Sequence, residues 1–233
     1  MVCVLKRNSL PIAIVLALTA IAASHSQEIL SAEKFFDGVS AQYGKVTDYT
    51  AGVSVSVGKT ATYRGQLSYK SPVFLRIDFD DPKGQKWVFD NEKLVIYMTA
   101  PSEVVLIQRF RKRGSSELAS MATKQGLNML RASYGIAFAS SPGLVPLDDD
   151  SKEQVVKLKL TAKSSGAPFS EIILSIGQDE LIRRVDGLRT GGERVVMDLT
   201  GIRINQNIPD SRFKYDPPAS ANSFEDFLFD SDE

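Results

Sequence analysis

Leu94-Val95-Ile96-Tyr97-Met98 and Val104-Val105-Leu106-Ile107, joined by Thr99-Ala100-Pro101-Ser102-Glu103, decide the fold. Both runs are short, rich in β-branched and aromatic side chains, and separated by a proline-containing turn, so they read as strands. Side chains alternate across a strand, and in these two both alternating faces are apolar. A sheet with water on one side needs only one apolar face. The second must meet helices, another sheet or a hydrophobic ligand.

Working outward, the period of two persists. Val53, Val55 and Val57 alternate with Ser54 and Ser56, Gly58-Lys59 supplies a turn, and Ala61 to Tyr69 resumes the pattern. Pro72 breaks it, Val73 to Phe79 alternates again, and Asp80-Asp81-Pro82-Lys83-Gly84 is turn material before Trp87 to Phe89. The chain up to Phe110 therefore predicts an antiparallel meander. Ahead of it, Ser31 caps a short helix with Phe35, Phe36, Val39 and Tyr43 on one face.

Downstream, Ser115 to Arg131 reads as a helix capped by Ser115 or Ser116, which Gly126 weakens. Ala132 to Pro146 is rich in Ala, Ser, Gly and Pro yet carries Tyr134, Ile136 and Phe138, which suits either a mobile apolar flap or an ordinary loop. Strands resume at Gln154 to Ala162, Glu171 to Ile176, Leu181 to Leu188 and Arg194 to Asn205. From Pro217 the chain becomes acidic, with Phe224, Phe227, Leu228 and Phe229 among the acids. Such an end docks on its own domain, meets a partner or stays disordered.

At the amino terminus, Lys6 and Arg7 precede an uncharged apolar run from Leu10 to Ala23 that closes on small residues. This is the pattern of a cleavable signal peptide, residues 1–26, with cleavage between Ala22 and Gln27; the competing reading is a buried helix of the fold. Removal would take away Cys3, the sole cysteine, and in all but the earliest cleavages His25, the sole histidine. Of 28 basic and 28 acidic residues it would leave 26 and 28, so no basic excess attracts a polyanion and nucleic acid is not an expected partner. Without those two side chains the mature protein lacks a thiol, an imidazole base and their metal chemistry; no metal and no cofactor are expected.

Catalytic patterns are missing as well. No phosphate-cradling glycine loop and no Gly-x-Ser-x-Gly elbow occurs, and Asp80-Asp81 and Asp148-Asp149-Asp150 sit in polar connectors without calcium-loop spacing. The expectation is a binding protein, not an enzyme. Arg76 stands apart, because Phe74, Arg76 and Asp78 share one strand face and Leu75, Ile77 and Phe79 the other. It either anchors a mobile element or meets a ligand, or it forms an exposed cross-strand ion pair.

Three stretches carry a family resemblance. They are Gly65-x-Leu67-x-x-Lys70-x-Pro72-x-x-Leu75-Arg76, Tyr97-x-x-x-Pro101-x-x-x-Val105, and Ile204-Asn205-Gln206-Asn207-Ile208-Pro209-Asp210-x-x-Phe213-x-Tyr215-x-x-Pro218. Together they resemble the periplasmic lipoprotein carriers, soluble chaperones that take lipoproteins from an inner-membrane transporter toward the outer membrane. The resemblance implies a mainly β fold: a strongly curved antiparallel sheet forming an incomplete β-barrel over residues 27–218, with helices as a lid on an apolar cavity, and an acidic, aromatic tail at 219–233. It also implies a monomer in the periplasm of a diderm bacterium. Expected partners are acylated lipoproteins or another lipid ligand, an ABC transporter as donor and an outer-membrane acceptor.

By the same resemblance Arg76 holds the lid in the empty form. Trp87, Phe89, Val95, Tyr97, Val105 and Ile107 are the expected acyl-binding wall, with Leu118, Met121 and Leu130 covering its mouth. Two competing functions stand beside this one. The first is a lipid-sensing or structural envelope protein of the same fold, and the second is an envelope hydrolase working with paired carboxylates.

Overall fold

The computed structural model describes residues 31–59, 61–90, 92–109 and 123–226. The expected signal peptide, Leu118, Met121 and the aromatic residues beyond Asp226 lie outside them. In chain order the elements are α1 (Ala32–Tyr43), β1 (Asp48–Val57), β2 (Ala61–Lys70), β3 (Phe74–Asp81), β4 (Lys86–Phe89), β5 (Lys93–Met98) and β6 (Val104–Arg109). Then follow α2 (Lys124–Ser133), β7 (Tyr134–Phe138), β8 (Val145–Pro146), β9 (Gln154–Ala162), β10 (Phe169–Gly177), β11 (Ile182–Arg189), β12 (Arg194–Ile204) and β13 (Asn222–Glu225). A 3-10 turn, Asp210–Phe213, lies between β12 and β13.

The described strands form one sheet, in the order β13-β6-β5-β4-β3-β2-β1-β12-β11-β10-β9-β7, with β8 added alongside β9. The expected meander is present from β1 to β6, and a second one runs from β9 to β12. Their junction is the antiparallel pair β1 and β12, in which Tyr49 lies opposite Ile204 and Val57 opposite Val195. The ends of the sheet, β13 and β7, do not meet, so this is an incomplete barrel.

Glycine sits where the sheet bends. The β1–β12 register slips between Thr50 and Gly52, and the β2–β3 register slips between Arg64 and Gly65. A Cβ on Gly65 would lie 2.2 Å from the Asp78 carbonyl oxygen, inside any tolerable contact, so the bulge requires glycine. Gly201 takes a φ of +57°, in the left-handed region that costs other residues strain.

Alternate residues of every long strand meet on the concave side. Tyr49, Val53, Leu67, Tyr69, Ile77 and Phe79 from one meander join Leu158, Leu160, Ile172, Leu174 and Ile176 from the other in a single core. Helix α1 closes this core with Phe36, Val39 and Tyr43, as the sequence spacing predicts, and the Ser31 hydroxyl accepts from the Lys34 N–H at 3.1 Å. Each such ring or branched chain contributes roughly 1.5–3 kcal/mol by burial.

Two expectations change here. The described second helix runs from Lys124 to Ser133 and is capped by Thr123, whose hydroxyl accepts from the Gly126 N–H at 3.1 Å. Gly126 thus occupies the first turn, where no intrahelical partner is needed, and does not interrupt a helix interior. The stretch read as flap or loop contains β7, antiparallel to β9, with Tyr134, Ile136 and Phe138 facing the core opposite Ala162, Leu160 and Leu158. Its small residues, Gly135 and Ala137, are the outward half of an alternating strand. Composition concealed a period of two.

Candidate functional site

The two apolar faces of β5 and β6 have different fates. On the convex side, Val95, Tyr97 and Val105 are 2%, 7% and 1% exposed and pack with Ile107, Tyr215 and Ala221. The cover is the chain after β12, which crosses the convex side as a strap before β13 docks parallel to β6. Tyr215 lies 6.2 Å from the Tyr97 ring and Phe213 5.5 Å from the Phe74 ring. The carboxyl-terminal segment therefore docks on its own domain at least as far as Asp226, whose N–H donates to the Ile107 carbonyl at 2.7 Å.

On the concave side the same strands present a wall. Cross-strand pairing aligns Ile77, Trp87, Ile96, Leu106 and Phe224 in one row over five strands. Leu94, Ile96, Met98, Val104 and Leu106 are all partly exposed, and Phe224 at the rim is 55% exposed. Phe79 meets Trp87 edge-on at 5.2 Å, so the wall continues without a break into the core under the helices. A concavity of about 260 Å³ opens between α1, α2 and the β2–β3 turn, lined in part by Tyr43, Tyr69, Pro72 and Lys124.

This arrangement divides the six residues expected to form one acyl-binding wall. Trp87 and Phe89 face the concave side, whereas Val95, Tyr97, Val105 and Ile107 face the strap. The reason is register: Phe89 pairs with Leu94 and Trp87 with Ile96, so the odd-numbered face of β4 continues as the even-numbered face of β5 and β6. The residues that sequence reasoning missed, Leu94, Ile96, Met98, Val104 and Leu106, were identifiable only through the length of the β4–β5 turn. Leu130, one of three residues expected to cover the mouth, lies in the main core on α2, which touches α1 and β7.

Among the described residues Arg76 is engaged by the strap, and residues 110–122, which include most of the expected lid, lie outside them. Arg76 stands on the convex side and donates through Nε and Nη2 to the two carboxylate oxygens of Asp78, both at 2.8 Å. Its Nη1 donates to the carbonyls of Arg212 at 3.1 Å and Lys214 at 3.5 Å. Besides Asp78, it therefore holds strap carbonyls, the first of them in the 3-10 turn, and among the described residues no hydrogen bond joins it to α1 or α2. The described helices α1 and α2 pack into the core on the opposite face.

Asp78 is the centre of this clasp. It also accepts from Arg212 Nη2 at 2.6 Å and has Lys86 Nζ 3.6 Å away. Burial pushes its carboxyl upward, but the bond to Arg76 and the charges of Arg76, Arg212 and Lys86 outweigh this and hold it below the usual carboxylate value. A second anchor is Asp48, 2% exposed, which accepts from the N–H groups of Gln206 and Asn207 at 2.7 and 3.1 Å. Asn205 and Asn207 have φ of 56° and 58°, left-handed values that asparagine tolerates, and they turn the chain from β12 into the strap. The Asn-Gln-Asn-Ile-Pro-Asp motif is thus a fastening for the strap.

The acidic connectors do not converge on a cleft. Asp148 pairs with Arg184 at 2.6 Å, Asp81 lies 3.9 Å from Arg64, and among the described residues no cluster of three Asp, Glu, His or Cys side chains is placed to hold a metal. No described helix is long and apolar enough to cross a membrane.

A half-closed sheet, helices over its hollow and a partly bare apolar inner wall define an incomplete barrel of the lipoprotein-carrier type. The chain belongs to the family of the outer membrane lipoprotein carrier protein LolA, whose pattern matches residues 51–216. A similar curated protein is the outer-membrane lipoprotein carrier protein of Albidiferax ferrireducens, 23% identical over 170 residues, covering 70% of this chain and 74% of that protein. Among solved structures, MucB superimposes with a TM-score of 0.52 at 12% identity, over 82% of this chain and 64% of that one. The Pseudomonas aeruginosa MucA/MucB complex gives 0.50 at 11% identity, over 79% and 61%. At those identities the two structures share the fold alone.

Proposed function

We propose that this protein is a periplasmic carrier that shelters the acyl chains of lipoproteins against its concave wall and takes them from an inner-membrane transporter toward the outer membrane. One observation carries the reading: of the two apolar faces of β5 and β6, the protein seals one with its own strap and leaves the other partly bare. Exposed apolar surface is costly unless it has an occupant. Acyl chains fit that need, because each buried methylene contributes about 0.8 kcal/mol without demanding a polar partner. The wall is continuous with the core, so acyl chains laid on it extend the apolar surface that the helices already cover.

Native mass spectrometry of protein prepared from an envelope fraction tests this reading. Diacyl or triacyl species should remain bound; a protein recovered empty, and unable to take up a diacylated lipopeptide, would refute it. A transfer assay between donor and acceptor membranes then separates a carrier, which releases its cargo, from a sensor, which keeps it.

A further inference from the structure

Among the described residues, one buried side-chain nitrogen or oxygen has no hydrogen-bond partner, and it is Nε1 of Trp87. A buried indole N–H ordinarily finds an acceptor, because a donor removed from water and left unpaired is unfavourable. Here nothing adjacent supplies one. The neighbours in its row are Ile77 and Ile96, and the ring against it is Phe79. The donor is second in the row of five and closed off in the empty protein, while the next residues outward, Ile96 and Leu106, are partly exposed, so a guest advancing along the wall meets it by displacing the side chains that cover it.

The chemistry of an occupant follows from that donor and its surroundings. A plain hydrocarbon would leave it unpaired. A carboxylate or phosphate would require a cation, yet Leu75, Phe79, Phe89, Leu94, Met98 and Val104, which share the face, carry none, while Arg76 and Lys86 stand on the other side of the sheet. A neutral acceptor embedded in hydrocarbon meets both conditions, and the ester carbonyl at the head of an acyl chain is such a group. We propose that Trp87 Nε1 donates a hydrogen bond to an ester carbonyl oxygen of a diacylglyceryl group, and so sets how deep the acyl chains enter. This rests on the acyl-carrier reading and adds a polar register to it. The empty protein holds an unpaired donor that cargo satisfies, so the contact discriminates loaded from empty states.

The test compares dipalmitoylglycerol with its dihexadecyl ether analogue, which keeps the hydrocarbon and lacks both carbonyl oxygens. Each is titrated against the full chain and Trp87→Phe by displacement of an apolar, polarity-sensitive dye. The wild-type protein should prefer the ester by about three- to tenfold, the range of one hydrogen bond to a previously unpaired donor. Trp87→Phe should bind both lipids with that preference gone. Because Trp87 is the sole tryptophan, ultraviolet resonance Raman of the wild-type protein should also show its N–H band shift with the ester and not with the ether. An equal ester-to-ether ratio in both proteins, or an N–H band unmoved by the ester, would overturn the assignment while leaving acyl binding intact. Failure of both lipids to displace the dye from wild type would instead overturn acyl binding, and the assignment with it.

Discussion

Replacing Asp78 by asparagine should unfasten the strap without touching the concave wall. The carboxylate receives two bonds from Arg76 and one from Arg212, whose side chains are 13% and 36% exposed, and is itself 25% exposed. A hydrogen bond to a charged group contributes about 1.5–3 kcal/mol when buried, so three such bonds would suggest a large loss. Solvent screening at these exposures removes much of that, and the amide oxygen still accepts one bond, leaving an expected loss of about 2–3 kcal/mol. For a domain of this size that lowers the midpoint of thermal unfolding by about 4–12 °C. Hydrogen exchange should report the location. The Arg212 and Lys214 amides, bonded to Pro209 and Ser211 carbonyls, should exchange faster in Asp78→Asn, while the β9–β10 amides should not. The pH dependence has a definite sign. Since the folded carboxyl is held below its ordinary value, its contribution is complete above about pH 4 and is lost as pH falls through the folded value, so wild type and variant should converge in acid. A variant within about 0.5 kcal/mol of wild type, with unchanged exchange across 210–226, would mean that ring packing alone holds the strap, and the clasp argument would fail.

Other outcomes follow from single contacts. Tyr43 accepts from the buried Ile182 N–H at 3.0 Å, so Tyr43→Phe orphans that donor and should lose about 1–3 kcal/mol in chemical denaturation. Burial, only partly offset by that bond and by Arg183, pushes the Tyr43 hydroxyl up to about 12, above its ordinary 10, so wild-type stability should fall as pH rises from 10 to 12 and the phenylalanine variant should show a shallower fall. Gly65→Ala forces a Cβ against the Asp78 carbonyl and should cost more than about 2 kcal/mol or abolish folding, read as loss of soluble protein or of its cooperative transition. Leu106→Glu and Val105→Glu differ by one position and should differ in kind. The first, on the partly exposed wall, should keep its fold within about 1 kcal/mol and lose affinity for a diacylated lipopeptide; the second buries a charge under the strap and should lose more than about 3 kcal/mol.

The strands were legible in the sequence because alternation is a local property. Val53 to Val57, Gln154 to Ala162 and Arg194 onward announce themselves within a few residues, and the helix around Phe36 does so through its period and its serine cap. That β5 and β6 bury both faces was legible for the same reason. Which face meets which neighbour was not, because it depends on the number of residues in the turn around Asp90. A pairing of Phe89 with Leu94 reverses parity between β4 and β5, and it moved four residues from the expected wall to the strap. Arg76 was marked as unusual by its place among apolar residues, but its partners, the Arg212 and Lys214 carbonyls, lie far along the chain and belong to backbone that no side-chain pattern reveals. The orphan donor on Trp87 is a fact about what surrounds it, invisible until the fold is assembled.

The join between β1 and β12 bears on how the chain folds. Strands β2 to β6 can form from neighbours in sequence, and so can β9 to β12, but the seam that makes one sheet of them brings Tyr49 against Ile204. Closing so long a loop is entropically slow, and contacts that distant come late. Until β12 has emerged, β1 lacks its partner on that side and the first meander keeps its apolar side uncovered. The hollow needs both meanders and is expected to form only once that seam closes, so any factor that holds the chain open before then acts on a precursor with no place yet for a guest.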